Sequence, residues 1–286
     1  MKYDTYSKYD PRGVALAESA FLTVWSALGS FRHDLVLVGG LVPKYLCGDT
    51  SESRTLPRPA TLDVDIGIAL GASSDQYGSI LWDLQGQGFC QSKRFPTRFE
   101  KEIEGFTVYV DFLVEQPGAT QGVVVVDDIP ANILPGINRA LETAREIAVE
   151  GIDLLGANQQ LPARVCEIGS FLTLKLRAFA RRQQPKDAFD ILYSLLHYDK
   201  GTEAAVTAFA MERESGNSAY PDAVKCLEDH FKAEDSAAPM KASHFIFGEQ
   251  QRDDSEDLRL QRLQIRQDVV SAGQMLLQAV SLPEEK

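Results

Sequence analysis

The stretches LVLVGGLVPKYL, residues 35–46, and TLDVDIGI, residues 61–68, decide the fold of this chain. Leu35 to Val38 form a short apolar run, Gly39-Gly40 ends it, and Leu41 to Leu46 predicts a helix, so the first stretch reads as strand, glycine turn and helix. In the second stretch apolar and acidic residues alternate. This alternation predicts a strand with one apolar face and one face that carries Asp63 and Asp65.

The flanking sequence predicts a sheet first and helices afterwards. A hairpin is expected from 93–101 and 106–114, and its second arm carries Asp111 on the polar face. The other expected elements are helices at 14–31, 74–85 and 253–280, a strand at 147–155, and an exposed loop at 49–60. After Pro162 the pattern is helical. We therefore predict an α+β (α/β-like) fold, with a small mixed-sheet core and N-terminal helix at 1–160 and a helical domain at 161–286.

Composition and charge narrow the classes of function. The chain has 286 residues, of which 44% are hydrophobic, and a formal net charge of −12. This excludes a disordered or fibrous chain and disfavours a broad DNA-binding surface. The longest apolar run, 35–42, is far too short to cross a bilayer, and the start of the chain does not resemble an export signal. The four cysteines are too widely spaced for a zinc motif, so we expect a cytoplasmic protein.

The pattern of acids predicts a metal site. Period 2 places Asp63 and Asp65 on the same side of a strand, with Cα atoms roughly 6–7 Å apart. Two carboxylates at this spacing can hold hard divalent cations while substrate phosphates complete the coordination. Asp111, alone on the polar side of a later strand, is the candidate third acid. A second interpretation stays open, in which these aspartates are solvated on a half-exposed strand.

Two further features are candidates for phosphate binding. Gly39-Gly40 lies between a strand and a helix, where backbone amides can face a phosphate, although a simple tight turn explains it equally. The segment 168–186 carries five cations and no acid. On a helix Lys175 and Arg182 lie beside the apolar stripe of Leu172, Leu176 and Phe179, whereas Arg177 is interpreted as solvated. A solvated basic face is the alternative for the whole helix.

Four stretches, taken in order, resemble the nucleotidyltransferase superfamily: VGGLVPKYL at 38–46, RPATLDVDIGI at 58–68, VYVDFLV at 108–114 and KLRAFARRQQPKDAFDILYSLL at 175–196. Within the superfamily they are most similar to the AbiEii-type toxins of bacterial abortive-infection and toxin–antitoxin systems. The resemblance covers most of residues 35–200. It implies a small mixed sheet with helices, followed by a helical domain that completes the nucleotide cleft.

The resemblance also implies roles for individual residues. Gly39 and Gly40 would lie against the triphosphate, and Asp63 and Asp65 would bind magnesium, with two ions expected. Asp111 would assist a metal or accept the proton of the attacking hydroxyl. The other implied nucleotide-binding residues are Lys175 for the triphosphate, Asp187 for ordering the second helical motif, and Lys44 and Arg182 for phosphate oxygens.

The implied function is magnesium-dependent transfer of a nucleoside monophosphate from a nucleoside triphosphate to an acceptor hydroxyl, with release of pyrophosphate. The acceptor would be RNA, such as tRNA, or a protein, and a toxin of this kind would have an antitoxin as its partner. The basic arm Lys93, Arg94, Arg98 and Lys101 could form a local track for RNA. Two alternatives stay open: a regulatory module that binds nucleotide without turnover, and an adenylyltransferase that modifies an antibiotic.

Overall fold

The computed structural model describes residues 3–48, 56–72 and 79–281, which form two compact units. The first unit holds residues 10–45 and 60–167 and contains the nine described strands. The second unit holds residues 168–281 together with 3–9, 46–48 and 56–59, and it is helical. A mixed sheet and a helical C-terminal region confirm the predicted fold class.

One mixed sheet forms the centre of the first unit. Its strands are β1 Leu35–Val38, β2 Asp63–Ile68, β3 Cys90–Gln91, β4 Arg98–Ile103, β5 Phe106–Val114, β6 Val123–Val126, β7 Ile129–Ile133, β8 Arg145–Ile152 and β9 Asn158–Val165. The spatial order is β3-β4-β5-β2-β1-β9-β8, and β7 pairs with both β5 and β6. β2 lies between β1, its antiparallel neighbour, and β5, its parallel neighbour. The strand that carries the two predicted metal ligands is therefore central.

Four helices belong to the first unit: α1 Pro11–Ala27, α2 Val42–Leu46, α3 Ile80–Gly86 and α4 Ile137–Glu142. α1 begins where it does because Asp10 accepts a hydrogen bond from the Arg12 amide and Pro11 occupies the first turn. Ala17, Phe21, Val24 and Trp25 form its buried face. α4 approaches β2 at Gly67, where an added Cβ would lie 3.2 Å from Ile137. Gly67 is on the same side of β2 as Asp65, so α4 covers part of the acid-bearing face.

The second unit consists mainly of six helices: α5 Ile168–Arg182, α6 Pro185–His197, α7 Thr202–Met211, α8 Tyr220–His230, α9 Ala237–Phe247 and α10 Glu256–Ser281. The break between α5 and α6 follows from Gln183, which has a positive φ of 45°, and from Pro185 in the first turn of α6. The predicted stripe of Leu172, Leu176 and Phe179 is fully buried. Packing of apolar faces thus holds this unit together.

Several boundaries differ from the sequence expectations. β9 pairs with β8 and continues to Val165, so the sheet extends past the boundary expected near residue 160. The hairpin of β6 and β7 is an addition to the predicted elements. The helix expected at 74–85 is α3, which begins at Ile80; residues 73–78, and 49–55 of the expected loop, lie outside the described residues. None of the described helices is long and apolar enough to cross a bilayer.

Candidate functional site

The three predicted aspartates lie on one face of two adjacent strands. In the parallel pair of β2 and β5, Asp65 is opposite Asp111 and Asp63 is opposite Tyr109. Side chains two residues apart on a strand point to the same side, so Asp63 shares the face of Asp65. The register therefore brings the three acids together on neighbouring strands. We use the name acid cluster for Asp63, Asp65 and Asp111 together with Arg98 of β4.

Burial separates these acids from ordinary surface residues. Only 3% of Asp63 and 8% of Asp111 is exposed, whereas Asp65 is partly exposed. The interpretation of solvated aspartates on a half-exposed strand is therefore wrong for Asp63 and Asp111. A buried carboxylate is costly unless a cation or hydrogen bonds compensate it, so its partners determine what the site can do.

Arg98 on β4 is the cation that compensates two of these acids. Its Nε donates to Asp111 Oδ1 at 2.7 Å and its Nη2 donates to Asp111 Oδ2 at 2.5 Å, which is a two-pronged ion pair. The same Nη2 lies 3.1 Å from Asp63 Oδ2. One nitrogen of Arg98 thus contacts both buried carboxylates.

This contact corrects the expectation that Arg98 belongs to an exposed basic track. The side chain of Arg98 is 17% exposed, and its guanidinium is directed at the acids. The sequence contains a signal for this position. Glu104 and Gly105, both with positive φ, form a two-residue turn, and that turn sets the β4–β5 register that pairs Arg98 with Asp111.

The charges of the acid cluster are unequal. Three carboxylates face one guanidinium, which leaves an excess of negative charge when all are ionised. Burial, together with the carboxylates of Asp65 and Asp63, raises the pKa of Asp111 to about 6, although Arg98 acts in the opposite direction. Burial disfavours the charge on Arg98, but Asp111 and Asp63 outweigh it and raise the pKa of Arg98 above its ordinary value.

Gly39 brings a glycine turn against the acid cluster. Its φ is +74°, a conformation that favours glycine, and Val38 just before it is the register partner of Asp65. A Cβ at position 39 would lie 1.9 Å from Asp65 Oδ2. Only a residue without a side chain therefore allows the Asp65 carboxylate to take this position.

The other predicted residues of this turn and helix have different surroundings. Gly40 is buried inside the 3-10 turn Gly39–Leu41. Lys44 on α2 places its Nζ 2.5 Å from Glu18 Oε2 on α1, and about one third of its side chain is exposed. The structure thus gives Lys44 an acidic partner within the first unit, and its phosphate contact stays a prediction.

The predicted basic helix of the second unit carries a buried ion cluster with α6, which we call the helical ion cluster. Lys175 is 4% exposed, and its Nζ lies 2.6 Å from Asp190 Oδ2 and 3.4 Å from Asp187 Oδ1. Lys186 donates to both oxygens of Asp190, at 2.8 and 2.6 Å. Burial lowers the pKa of Lys175, but Asp190 and Asp187 outweigh this effect and raise it. Lys175 is therefore charged at neutral pH.

Arg182 completes the helical ion cluster at its exposed side. It donates from Nε and Nη2 to the two oxygens of Asp187, at 2.7 and 2.9 Å, and 42% of its side chain is exposed. Asp187 thereby connects α5 to the first turn of α6. Arg177 is not solvated as expected, because it is 1% exposed and its Nε donates to Asp222 at 3.2 Å.

The acid cluster has the donor chemistry of a magnesium site. Carboxylate oxygens are the hard ligands that magnesium takes in proteins. Among the described residues, there is no group of three or more histidine, cysteine, aspartate or glutamate side chains that could hold a metal ion in this arrangement. Asp63 and Asp111 instead converge on Arg98 Nη2, so a positive group already bridges these two acids. The acids fit a divalent ion by type and by shared face.

Comparison with known proteins leaves the family of this chain open. No protein-family model matches it, and no curated protein is significantly similar to it.

Proposed function

We propose that this protein is a magnesium-dependent nucleotidyltransferase that moves a nucleoside monophosphate from a nucleoside triphosphate to an acceptor hydroxyl and releases pyrophosphate. The observation that carries the proposal is the β2–β5 register, which groups Asp63, Asp65 and Asp111 on one face beside the Gly39 turn. Such carboxylates can hold the cations that neutralise a triphosphate. The motif resemblance of residues 35–200 supports the same reaction.

Each acid has its own role in this proposal. Asp63 and Asp65 would hold the metal from β2, and Asp111 would complete the set from β5. Magnesium, when bound, neutralises the triphosphate and lowers the pKa of a bound hydroxyl. Asp111 would accept the proton of the acceptor hydroxyl, because burial raises its pKa from the ordinary 3.8 to about 6 and so brings it closer to neutral pH.

The triphosphate would contact the glycine turn and a nearby cation of the first unit. Gly39 has no side chain that could block a phosphate from the backbone. Lys44 has 36% of its side chain exposed, so its charge remains available to phosphate oxygens. Lys175 would have to leave two carboxylates to reach a ligand, and we therefore assign it to the fold of the second unit.

The acceptor would be an RNA, such as a tRNA, or a protein hydroxyl, as the resemblance to AbiEii-type toxins implies. The net charge of −12 gives an RNA acceptor only local positive charge on this chain. Lys93 and Arg94 are exposed just before β4 and provide such charge. Deletion of both charges would weaken transfer to RNA and leave transfer to protein unchanged.

The test is pyrophosphate release from each of the four ribonucleoside triphosphates with magnesium, against total RNA and total cell protein. Asp63→Asn removes one carboxylate charge and keeps the side-chain volume, so we expect release to fall by roughly three orders of magnitude or more. Asp128→Asn is the matched control, because Asp128 is exposed and asparagine tolerates its positive φ. Equal release by Asp63→Asn and wild type would reject the assigned site.

A second candidate, a module that binds nucleotide without turnover, is favoured by one observation. Arg98 already neutralises part of the charge on Asp63 and Asp111, so these acids have a stable arrangement without metal. In that case the wild-type protein would bind nucleoside triphosphate and release no pyrophosphate with any acceptor. Nucleotide binding measured beside pyrophosphate release separates the two functions.

A further inference from the structure

Arg98 is placed between the two acids that the proposed function assigns to metal binding. Its Nη2 contacts Asp111 Oδ2 at 2.5 Å and Asp63 Oδ2 at 3.1 Å, while its Nε contacts the second oxygen of Asp111. A cation that used these carboxylate oxygens would compete with the guanidinium for the same lone pairs. Two cations held at the same oxygens would also repel each other, so the guanidinium opposes binding of the ion.

Aromatic rings give Arg98 a second set of contacts. The guanidinium carbon lies 4.6 Å from the centroid of the Tyr109 ring and 5.9 Å from that of Phe95. Tyr109 is on the same face of β5 as Asp111, since the two are two residues apart. Cation–π contacts stabilise an arginine that is only partly paired with carboxylates. Arg98 therefore has favourable contacts that do not depend on Asp63.

We propose that Arg98 is a built-in competitor of the divalent cation: it occupies the position between Asp63 and Asp111 in the metal-free protein and releases Asp63 when a divalent ion binds. This inference rests on the proposed metal role of the acids. In the metal-free protein, Arg98 compensates the charges of two buried carboxylates. The metal affinity of the site then depends on how much more strongly the carboxylates bind the divalent ion than they bind the guanidinium.

A different role for Arg98 makes the opposite prediction. If Arg98 held Asp63 and Asp111 in the arrangement that binds metal, its removal would weaken metal binding. If Arg98 competes, its removal leaves two buried carboxylates uncompensated and strengthens metal binding. The sign of the change in affinity therefore distinguishes a competitor from a positioning residue.

The first measurement is titration of the full chain with Mn²⁺ by calorimetry, with the fold of each variant checked by circular dichroism. We expect Arg98→Met to bind Mn²⁺ at least about tenfold more tightly than wild type, because a unit charge near the site is lost. Arg98→Lys keeps a charge but loses the fork of donors, so its affinity should fall between the two. Arg94→Met, an exposed arginine beside Phe95, should match wild type.

The second measurement uses the wild-type chain and needs no folded variant. With ¹⁵N-arginine labelling, the Arg98 side-chain resonance is assigned by its loss in Arg98→Lys. Addition of Mg²⁺ should shift this resonance at the concentrations that load the site. The resonance of the exposed Arg32, assigned by its loss in Arg32→Lys, should stay in place. An Arg98 resonance that does not move at saturating Mg²⁺ would overturn the proposal.

The outcomes separate this inference from the proposed function. Tighter Mn²⁺ binding in Arg98→Met supports competition. Equal or weaker binding in that variant overturns competition and leaves the metal site in place. Absence of Mn²⁺ binding in wild type and Arg98→Met alike overturns both the inference and the metal role of the acids.

Discussion

The acid cluster of the sheet and the helical ion cluster use the same kinds of side chain and differ in charge balance. In the acid cluster three aspartates face one arginine, and one of these aspartates is partly exposed. In the helical ion cluster Lys175, Arg182 and Lys186 face two aspartates, both of which are fully buried. The first cluster has too few cations, whereas the second has a cation for every carboxylate.

The charge balance determines which cluster can take a ligand. A group of carboxylates with excess negative charge gains from an added cation, and such a group is a candidate site. A buried cluster whose acids are all paired gains little from a further ion and instead makes the fold depend on its members. The comparison assigns chemistry to the sheet and stability to α5 and α6.

The largest expected effect concerns the stability of the helical ion cluster. Lys175→Met removes a buried cation that contacts Asp190 and Asp187, so the free energy of unfolding should fall by about 3 kcal/mol. Urea unfolding measures this change. Arg181→Met is the matched control, because Arg181 is an exposed cation on the same helix, and its cost should stay below about 1 kcal/mol. A Lys175→Met protein as stable as wild type would remove the contrast between the clusters.

The next effect concerns the glycine turn beside the acid cluster. Gly39→Ala places a Cβ against Asp65 and adds strain at a positive φ, so we expect a loss of about 1–3 kcal/mol in stability. Pyrophosphate release should fall as well, since Asp65 has to move. Gly71→Ala is the control, because no atom of the residues that the structure describes lies within 4 Å of a Cβ added at this position and its φ is outside the left-handed region. Full activity in Gly39→Ala would show that the position of Asp65 is not critical.

A third effect is a pH dependence of stability. Asp111 has a pKa of about 6 in the folded protein and an ordinary value of 3.8 when unfolded. Between these two values the folded state binds more protons than the unfolded state. The contribution of Asp111 to the free energy of unfolding therefore falls as the pH rises, and it is constant above about pH 6. Asp111→Asn should lack this fall. Urea unfolding from pH 4 to pH 7 tests it, and parallel curves for variant and wild type would contradict the shift.

Much of the fold follows from local sequence patterns. The strand, glycine turn and helix at 35–46 correspond to β1, the turn and α2, and the alternation at 62–70 corresponds to β2. A continuous apolar run predicts β1 and alternation predicts β2, and every residue of both strands except Asp65 is buried. The shared face of Asp63 and Asp65 follows from the same period.

Other features depend on pairing that a local pattern does not contain. β9 has the polar sequence NQQLPARV, including a proline, and its strand conformation comes from its pairing with β8. The contact of Arg98 with Asp111 could be predicted only from the exact register of the β4–β5 hairpin, which places the two residues opposite each other. Lys175 and Arg177 look like surface cations in a helix, and their burial comes from Asp190 and Asp222 on other helices. Tertiary pairing therefore sets the charges of both clusters.

The location of a bound metal ion shows whether the acids of the sheet form a metal site. Crystals of the full chain grown with Mn²⁺ and a non-hydrolysable nucleoside triphosphate would reveal the ion by its anomalous scattering. We predict Mn²⁺ bonded to carboxylate oxygens of Asp63, Asp65 and Asp111, with Arg98 Nη2 no longer in contact with Asp63. Mn²⁺ bound at Asp187 and Asp190, with none at the three acids of the sheet, would contradict the account.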